Sequence, residues 1–221
     1  NQIIQIKTEF ILNGIDDDVF KPMNKDKARK ELKLNKNDVI LIYAGRLIKE
    51  KGPLMLLDAF KDLKNEYVNL LYIGDGDAKE ELIETVNKFK LGDKVKVFGN
   101  IPHDILPKYL AASDIFVFPR FYEAGGNTLL EGASAGLSIL GTNEGFIKDI
   151  LNYKGVYLVE KNKESLKKGM EHLIKNKNLR LKLGKDARNA IISYGIGWKE
   201  NSQKYLKLYK QMLRGSDEKG I

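Results

Sequence analysis

The stretch Val39-Ile40-Leu41-Ile42-Tyr43-Ala44-Gly45-Arg46-Leu47-Ile48-Lys49-Glu50-Lys51-Gly52-Pro53 decides the fold. Its first six residues are apolar without alternation and rich in β-branching, the pattern of a strand buried on both faces. Gly45 stops the run. Pro53 stands where a helix opens, since the first helical position needs no N–H. Leu54, Leu57, Phe60 and Leu63 then follow at helical spacing. A fully buried strand running into an amphipathic helix is half of a parallel crossover unit.

Outward from this stretch the unit repeats. Asn69–Ile73 reads as a second strand, closed by a turn at Gly74-Asp75-Gly76, and Lys79–Leu91 as a helix with Leu82, Val86 and Phe89 inward. Lys94–Phe98 is a strand ending at Gly99, Ile105–Ala112 a short helix, and Asp114–Phe118 a strand stopped by Pro119. Asn127–Ala135 reads as a helix with Asn127 as its N-cap, Leu137–Leu140 as a strand, and Gly155–Val159 as the last strand. Beyond it the pattern is only helical, with apolar stripes at Leu166/Met170/Leu173/Ile174, Leu179/Leu183/Ala187/Ile191 and Trp198/Tyr205/Tyr209/Met212. The aromatics of the last stripe read as packing rather than base stacking. Upstream, a short strand near Phe10–Leu12, a turn at Asn13-Gly14 and a Lys-rich helix over Lys25–Leu32 are expected. Strand–helix alternation with non-alternating strands gives an α/β fold: a Rossmann-like, doubly wound parallel sheet with helices on both faces. Ligands of such sheets bind at the carboxyl ends of the strands. Function is therefore expected in the loops after Ala44, Ile73, Phe98, Phe118 and Leu140.

Composition excludes several classes. None of the 221 residues is Cys, which removes disulfides, thiolate metal sites and cysteine nucleophiles; the two histidines, His103 and His172, are far apart, which argues against a His-built zinc site. No apolar run reaches a membrane span, and no signal peptide opens the chain. The formal net charge of +8 rests on 32 lysines and only six arginines. Base readers lean on Arg, so the excess fits a solvated surface, anionic small ligands or an anionic membrane face better than nucleic acid.

Two constellations carry chemistry. In the first, Arg46 leaves a strand end and Lys51 precedes a helix start, where a lysine opposes the helix dipole unless an anion sits there too. Free helix N–H groups plus Arg and Lys suit a diphosphate. In the second, Glu123-Ala124-Gly125-Gly126-Asn127-Thr128-Leu129-Leu130-Glu131 follows a strand, opens with glycines and turns into a helix. Glu131 lies about 6 Å along that helix from Asn127, so two carboxylates and the glycine amides can line one cleft and hold a ligand with hydroxyls and an anion together. The competing assignment has Glu131 merely complementing the helix dipole and Glu123 solvated. His103, after Pro102, reads as a solvated or capping residue and His172 as a surface one. There is no G-x-G-x-x-G fingerprint, Walker loop or G-x-S-x-G elbow.

With these residues in place, the chain resembles the C-terminal, donor-binding domain of retaining GT-B glycosyltransferases, the group called glycosyltransferase family four. The matching segments run in order: Asn13-Gly14-Ile15-Asp16 with Phe20 and Pro22; Tyr43-Ala44-Gly45-Arg46-Leu47 with Lys51-Gly52; Ile73-Gly74-Asp75-Gly76; Val97-Phe98-Gly99-Asn100-Ile101; Ser113 to Pro119; Glu123 and Glu131 as an E-x7-E pair; and Trp198–Leu213 as a closing helix. Together they span about residues 8–213. The resemblance implies that Arg46 and Lys51, after Gly45, bind the donor diphosphate. The Ile101 backbone would hold the nucleobase and Glu131 the ribose. Glu123 would contact the transferred sugar, and the segment Gly125, Gly126, Asn127 and Thr128 would support sugar and phosphate. Glu123, Arg46 and Lys51 are thus the implied catalytic set, with no metal and no cofactor. Arg120, Gly125, Gly132 and Ser138 depart from the family's usual residues without removing a charge the site needs.

The implied organisation is a segment 1–22 leading in from an absent N-terminal domain, a nucleotide-sugar-binding domain over 23–195, a closing helix over 196–213 and a tail over 214–221. The implied partners are a UDP-, GDP- or ADP-linked sugar and, through the absent domain, a glycan or lipid acceptor in polysaccharide or cell-envelope assembly. The expected location is cytoplasmic, compatible with a peripheral position at the inner membrane face. Alternatives are a catalytically silent nucleotide-sugar-binding module, a sucrose-, trehalose- or glycogen-synthase-like enzyme, and a basic nucleic-acid binder. This chain alone is expected to be inactive in transfer.

Overall fold

The computed structural model describes residues 11–120, 126–142, 151–152 and 154–217, with side chains described as far as residue 213. Among them are six strands: β1 Val39–Ala44, β2 Val68–Ile73, β3 Val95–Phe98, β4 Ile115–Phe118, β5 Ser138–Thr142 and β6 Val156–Val159. The helices are α1 Lys25–Glu31, α2 Pro53–Phe60, α3 Lys79–Lys88, α4 Leu106–Ala112, α5 Asn127–Ser134, α6 Lys163–Lys175, α7 Lys177–Tyr194 and α8 Trp198–Asp217. The strands form one sheet in the order β3-β2-β1-β4-β5-β6, every pair parallel. Val39 to Ala44 run beside Val68 to Ile73 on one side, while Leu41 and Ile42 face Ile115 and Phe116 on the other. The strand order reverses between β1 and β4, which opens a crevice at their carboxyl ends.

The non-alternating apolar strands have the physical meaning expected of them. Ile40, Ile42 and Ala44 of β1 pack into a core built with α4, α5 and α7, whereas Leu41 and Tyr43 point into a second core built with α2, α3 and α6. Both sheet faces are therefore covered. At the amino ends of the strands, Asp114 is held by Lys25 at 2.7 Å, by Arg29 at 2.7 Å and by the Ile40 N–H at 2.8 Å. This network ties α1 to β1 and β4 on the side away from the crevice.

Four readings change. Helix α3 stops at Lys88, not Leu91, because Lys90 turns into the left-handed region at φ 53°. Ile11 and Leu12 form no strand, and Phe10 lies outside the described residues; instead Ile15 bridges Gly197, its N–H bonding Ile196 O at 2.9 Å while Trp198 N–H bonds Ile15 O at 2.8 Å. Gly126, not Asn127, caps α5, whose first residue is Asn127. The stripe Trp198, Tyr205, Tyr209 and Met212 is exposed at the surface rather than buried: α8 is held at its start, where Asn201 donates to Leu12 O at 2.9 Å.

Candidate functional site

The site begins at the end of β1. The Tyr43 hydroxyl, buried and pushed well above its ordinary pKa mainly by that burial, donates to Arg46 O at 2.7 Å. Gly45 N–H bonds Ile73 O at 3.0 Å and Leu47 N–H bonds Asp75 O at 2.8 Å, so the turn after β2 braces the loop after β1. A single 3-10 turn, Lys49–Lys51, leads through Gly52 into α2. Gly52 has φ +70°, and a Cβ there would stand 2.0 Å from Pro119 O. Only glycine permits both the left-handed turn and that approach. The loop after β4 thus rests directly on the loop after β1, across the point where the sheet order reverses.

Arg120 follows Pro119 and is 4% exposed. Its Nη2 donates to Thr128 Oγ1 at 3.2 Å, its guanidinium lies 4.2 Å from the centroid of the Phe118 ring, and Thr142 donates to its carbonyl at 2.7 Å. Burial pushes Arg120 down to about 10, with Arg46 adding to the effect and Tyr43 opposing it. Lys51 falls to about 8, chiefly through burial and then through the nearby charges of Arg120 and Arg46. Arg46 therefore sits close enough to Lys51 and Arg120, which come from two loops, to raise their cost of ionisation.

The third wall is the start of α5. Gly126 is buried, and its carbonyl accepts from Leu129 and Leu130 at 2.9 and 3.2 Å. The Asn127 side chain accepts from Asn13 Nδ2 at 3.3 Å. One turn further in, Glu131 is 7% exposed. Its Oε1 meets His103 Nε2 at 3.1 Å, and its Oε2 has no hydrogen-bond partner among the described residues. Burial raises the carboxyl's pKa above the ordinary range, while the His103 contact opposes the rise. His103 is neither a cap nor merely solvated: it bonds Glu131 and stands edge-on to Phe20, ring centroids 4.9 Å apart. A cleft of ≈ 230 Å³ opens among these parts, lined by Gly45, Arg46, Ile101, His103 and Thr128 over a floor of Ala44, Ile73 and Leu106.

Of the residues singled out in the sequence, Gly45, Arg46, Ile101 and Thr128 line this cleft. Lys51 lies beside it, within the field of Arg46 and Arg120, Gly126 and Asn127 form the start of α5, and Glu131 stands behind it against His103. Glu123 and Gly125 lie outside the described residues. Sequence reasoning missed His103 and Arg120. The one signal for Arg120 is its place, a charge immediately after the strand that flanks the reversal point; His103 is 28 residues from Glu131 and carries no local signal.

Residues 24–190 match the family model described as glycosyl transferases group 1. The chain belongs to this family. A Methanocaldococcus jannaschii relative described as the uncharacterized glycosyltransferase MJ1069 is 28% identical over 211 residues, 92% of this chain and 52% of its own length. The Staphylococcus aureus capsular polysaccharide biosynthesis glycosyltransferase CapM is 28% identical over 213 residues, 90% of this chain and 54% of its own length. Among solved structures, sucrose-phosphate synthase from Thermosynechococcus elongatus superposes with a TM-score of 0.85 at 25% identity, covering 95% of this chain and 53% of that one. The chain thus spans about half the length of the relatives it matches. Among the described residues, no helix is long and apolar enough to cross a membrane.

Proposed function

We propose that this chain is the C-terminal, donor-binding half of a retaining GT-B glycosyltransferase of family four, which transfers a sugar from a nucleoside diphosphate to a glycan or lipid-linked acceptor in polysaccharide or cell-envelope assembly. One observation carries the reading: the loop Gly45-Arg46, the backbone around Ile101 and the start of α5 meet in a single cleft at the β1/β4 reversal point. Sugar hydroxyls and phosphates call for that combination of cations, amides and a carboxylate.

Arg46 and Lys51 take the diphosphate, and the Ile101 backbone takes the base. Glu131, held by His103 and with Oε2 still open to accept, takes the ribose hydroxyls. Glu123 takes the transferred sugar, and the amides of Gly125, Gly126 and Asn127, with the Thr128 hydroxyl, hold sugar and phosphate oxygens. As the anomeric C–O bond breaks, negative charge grows on the leaving diphosphate, and fixed cations stabilise it with no reorganisation at that moment. With charge supplied by side chains, transfer by the complete enzyme is expected to proceed without an added metal or cofactor. Similarity to the capsular glycosyltransferase supports the class of acceptor, and the +8 charge supports contact with an anionic membrane surface. The likeness to sucrose-phosphate synthase favours a second reading, a synthase of a soluble sugar.

The test is calorimetric titration of the chain with UDP, GDP and ADP and their 2′-deoxy forms. One of the three is expected to bind. Arg46→Ala and Lys51→Ala should each weaken it about 10- to 150-fold, the effect of losing about 1.5–3 kcal/mol of charge-assisted bonding. Glu131→Ala should reduce the preference for ribose over deoxyribose. Failure of all three nucleotides to bind overturns the reading.

A further inference from the structure

We propose that His103 is a ribose-reading residue of the cleft, with Glu131 behind it as the group that fixes which ring nitrogen is free to bond the ligand. The inference rests on the donor-binding reading above and adds a second group to its ribose contact. Glu131 is 7% exposed, and its unpaired Oε2 is enclosed. The His103 side chain is 63% exposed and lines the cleft together with Arg46, Ile101 and Thr128. A nucleotide whose base lies at Ile101 and whose diphosphate lies at Arg46 has its ribose between them. In such a pose the ribose hydroxyls meet the imidazole at the wall of the cleft, in front of the buried carboxylate.

The imidazole is held in place. The turn that carries it is closed by Ile105 N–H on Pro102 O at 3.0 Å. Phe20 stands edge-on to the ring at 4.9 Å and 65°. Phe20 is itself anchored: it is buried, and its carbonyl accepts from Ser134 on α5 and from Arg188 on α7. On the other side, His103 Nε2 faces Glu131 Oε1 at 3.1 Å. An ionised carboxylate only accepts, so Nε2 carries the proton, and a neutral ring then leaves Nδ1 as a bare acceptor. Nδ1 bonds none of the described residues. The ligand chemistry that fits it is a hydroxyl that donates, and a ribose offers two on adjacent carbons. The charged groups nearest in the fold are Glu131 from α5, Arg46 from the loop after β1 and Asp104 next in its own loop. The chain's other histidine has a different setting: His172 stacks on Tyr157, ring centroids 5.0 Å apart and planes at 21°.

The experiment measures, by calorimetry, the affinity of the parent chain for UDP, GDP and ADP and for the 2′,3′-dideoxy form of the one that binds. Both are then repeated on His103→Phe and His103→Gln, with a thermal melt of each. If the parent binds none of the three, the donor-binding reading fails and this inference with it. If it binds one without preferring it to the dideoxy form, the inference is overturned while diphosphate binding stands. Otherwise His103→Phe, which keeps a ring against Phe20, should weaken the ribonucleotide about 2- to 12-fold and leave the dideoxy form within about twofold. His103→Gln carries both a donor for Glu131 and an acceptor for the ligand, and should recover part of the loss. Unchanged ribonucleotide affinity in His103→Phe overturns the proposal. So does an equal loss for both forms, which would make His103 a brace of its loop. Should the variants fail to fold, the parent answers by nitrogen-15 NMR. With two histidines in the chain, His172→Gln identifies the ring resonances of His103. At about pH 8, above the ordinary titration of an imidazole, the proton should sit on Nε2, and Nδ1 should shift with the ribonucleotide and not with the dideoxy form. A proton on Nδ1, or the same shift with both nucleotides, overturns the assignment.

Discussion

Lys51 has a pKa of about 8 against an ordinary 10.5, set by burial first and by Arg120 and Arg46 after it. Two consequences of opposite sign follow. For folding, the unfolded chain binds more protons than the folded one between about 8 and 10.5, so the stability this residue contributes rises with pH through that window. For binding, the free site loses the Lys51 charge above pH 8, and an anion must restore it by recruiting a proton. Affinity for a nucleoside diphosphate should therefore fall between pH 8 and 9.5, by up to about tenfold per unit, a range in which the ligand's own phosphates are already ionised. Lys51→Arg stays charged throughout and should flatten the profile. Titrations at five pH values on parent and variant decide it, and a parent profile as flat as that of Lys51→Arg would remove Lys51 from the clamp. The other unusual ionisable group, Glu131, shows what a single chain position conceals. Its place on a helix face is legible in the sequence, whereas its burial and its contact with His103 arise from the loop after β3 folding over α5, and no local pattern encodes such a contact.

Helix α5 shows how an element absorbs a departure from the family's usual residues. Gly132, where alanine is the common choice, has no room for one: a Cβ would stand 2.7 Å from Phe116 Cδ2 and 2.9 Å from its Cγ. Phe116 is wholly buried in β4 and fills that volume. Alanine would gain up to about 1 kcal/mol of helix propensity, but overpacking a filled core costs about 1–3 kcal/mol. Gly132→Ala is thus expected to lower the melting temperature by about 2–8 °C, and Phe116→Leu in the same chain should recover most of the loss. A Gly132→Ala protein that melts at or above the parent would show that α5 shifts freely, and its position would then not be set by this contact. Strands β1 and β4 were legible because burial on both faces leaves unbroken apolar runs closed by Gly45 and Pro119, helix α2 because Pro53 opens it, and helix α6 because its apolar stripe recurs at helical spacing. What escaped were features made by long-range pairing: the bridge of Ile15 to Gly197, the contact of Asn13 with Asn127, and the exposure of the α8 aromatics, whose periodicity is equally that of a buried helix face.

At the scale of the whole chain, charge and aperture set what these 221 residues can do by themselves. Transfer requires the acceptor hydroxyl to be held within about 3–3.5 Å of the anomeric carbon, and this positioning supplies a large part of the barrier reduction. It also requires water to be kept from the activated donor. The cleft described here is walled by the loops after β1 and β3 and by α5, and on α8 Trp198 is 58% and Tyr209 57% exposed. The relatives it matches are about twice as long, and the expected N-terminal half would bring the acceptor and the opposing wall. Without the opposing half, the ligand's sugar end stays wet and the contact area small, so micromolar-to-millimolar nucleotide binding is expected. No glycosyl transfer is expected from the chain alone. The measurement is incubation of the purified 221-residue chain with a labelled nucleotide sugar that it binds and a broad set of glycan and lipid acceptors, with the same chain joined to an N-terminal half of a group 1 glycosyltransferase as the positive control. Labelled product from the short chain by itself would require an acceptor site within these residues and would overturn the reading of the chain as a donor-binding half.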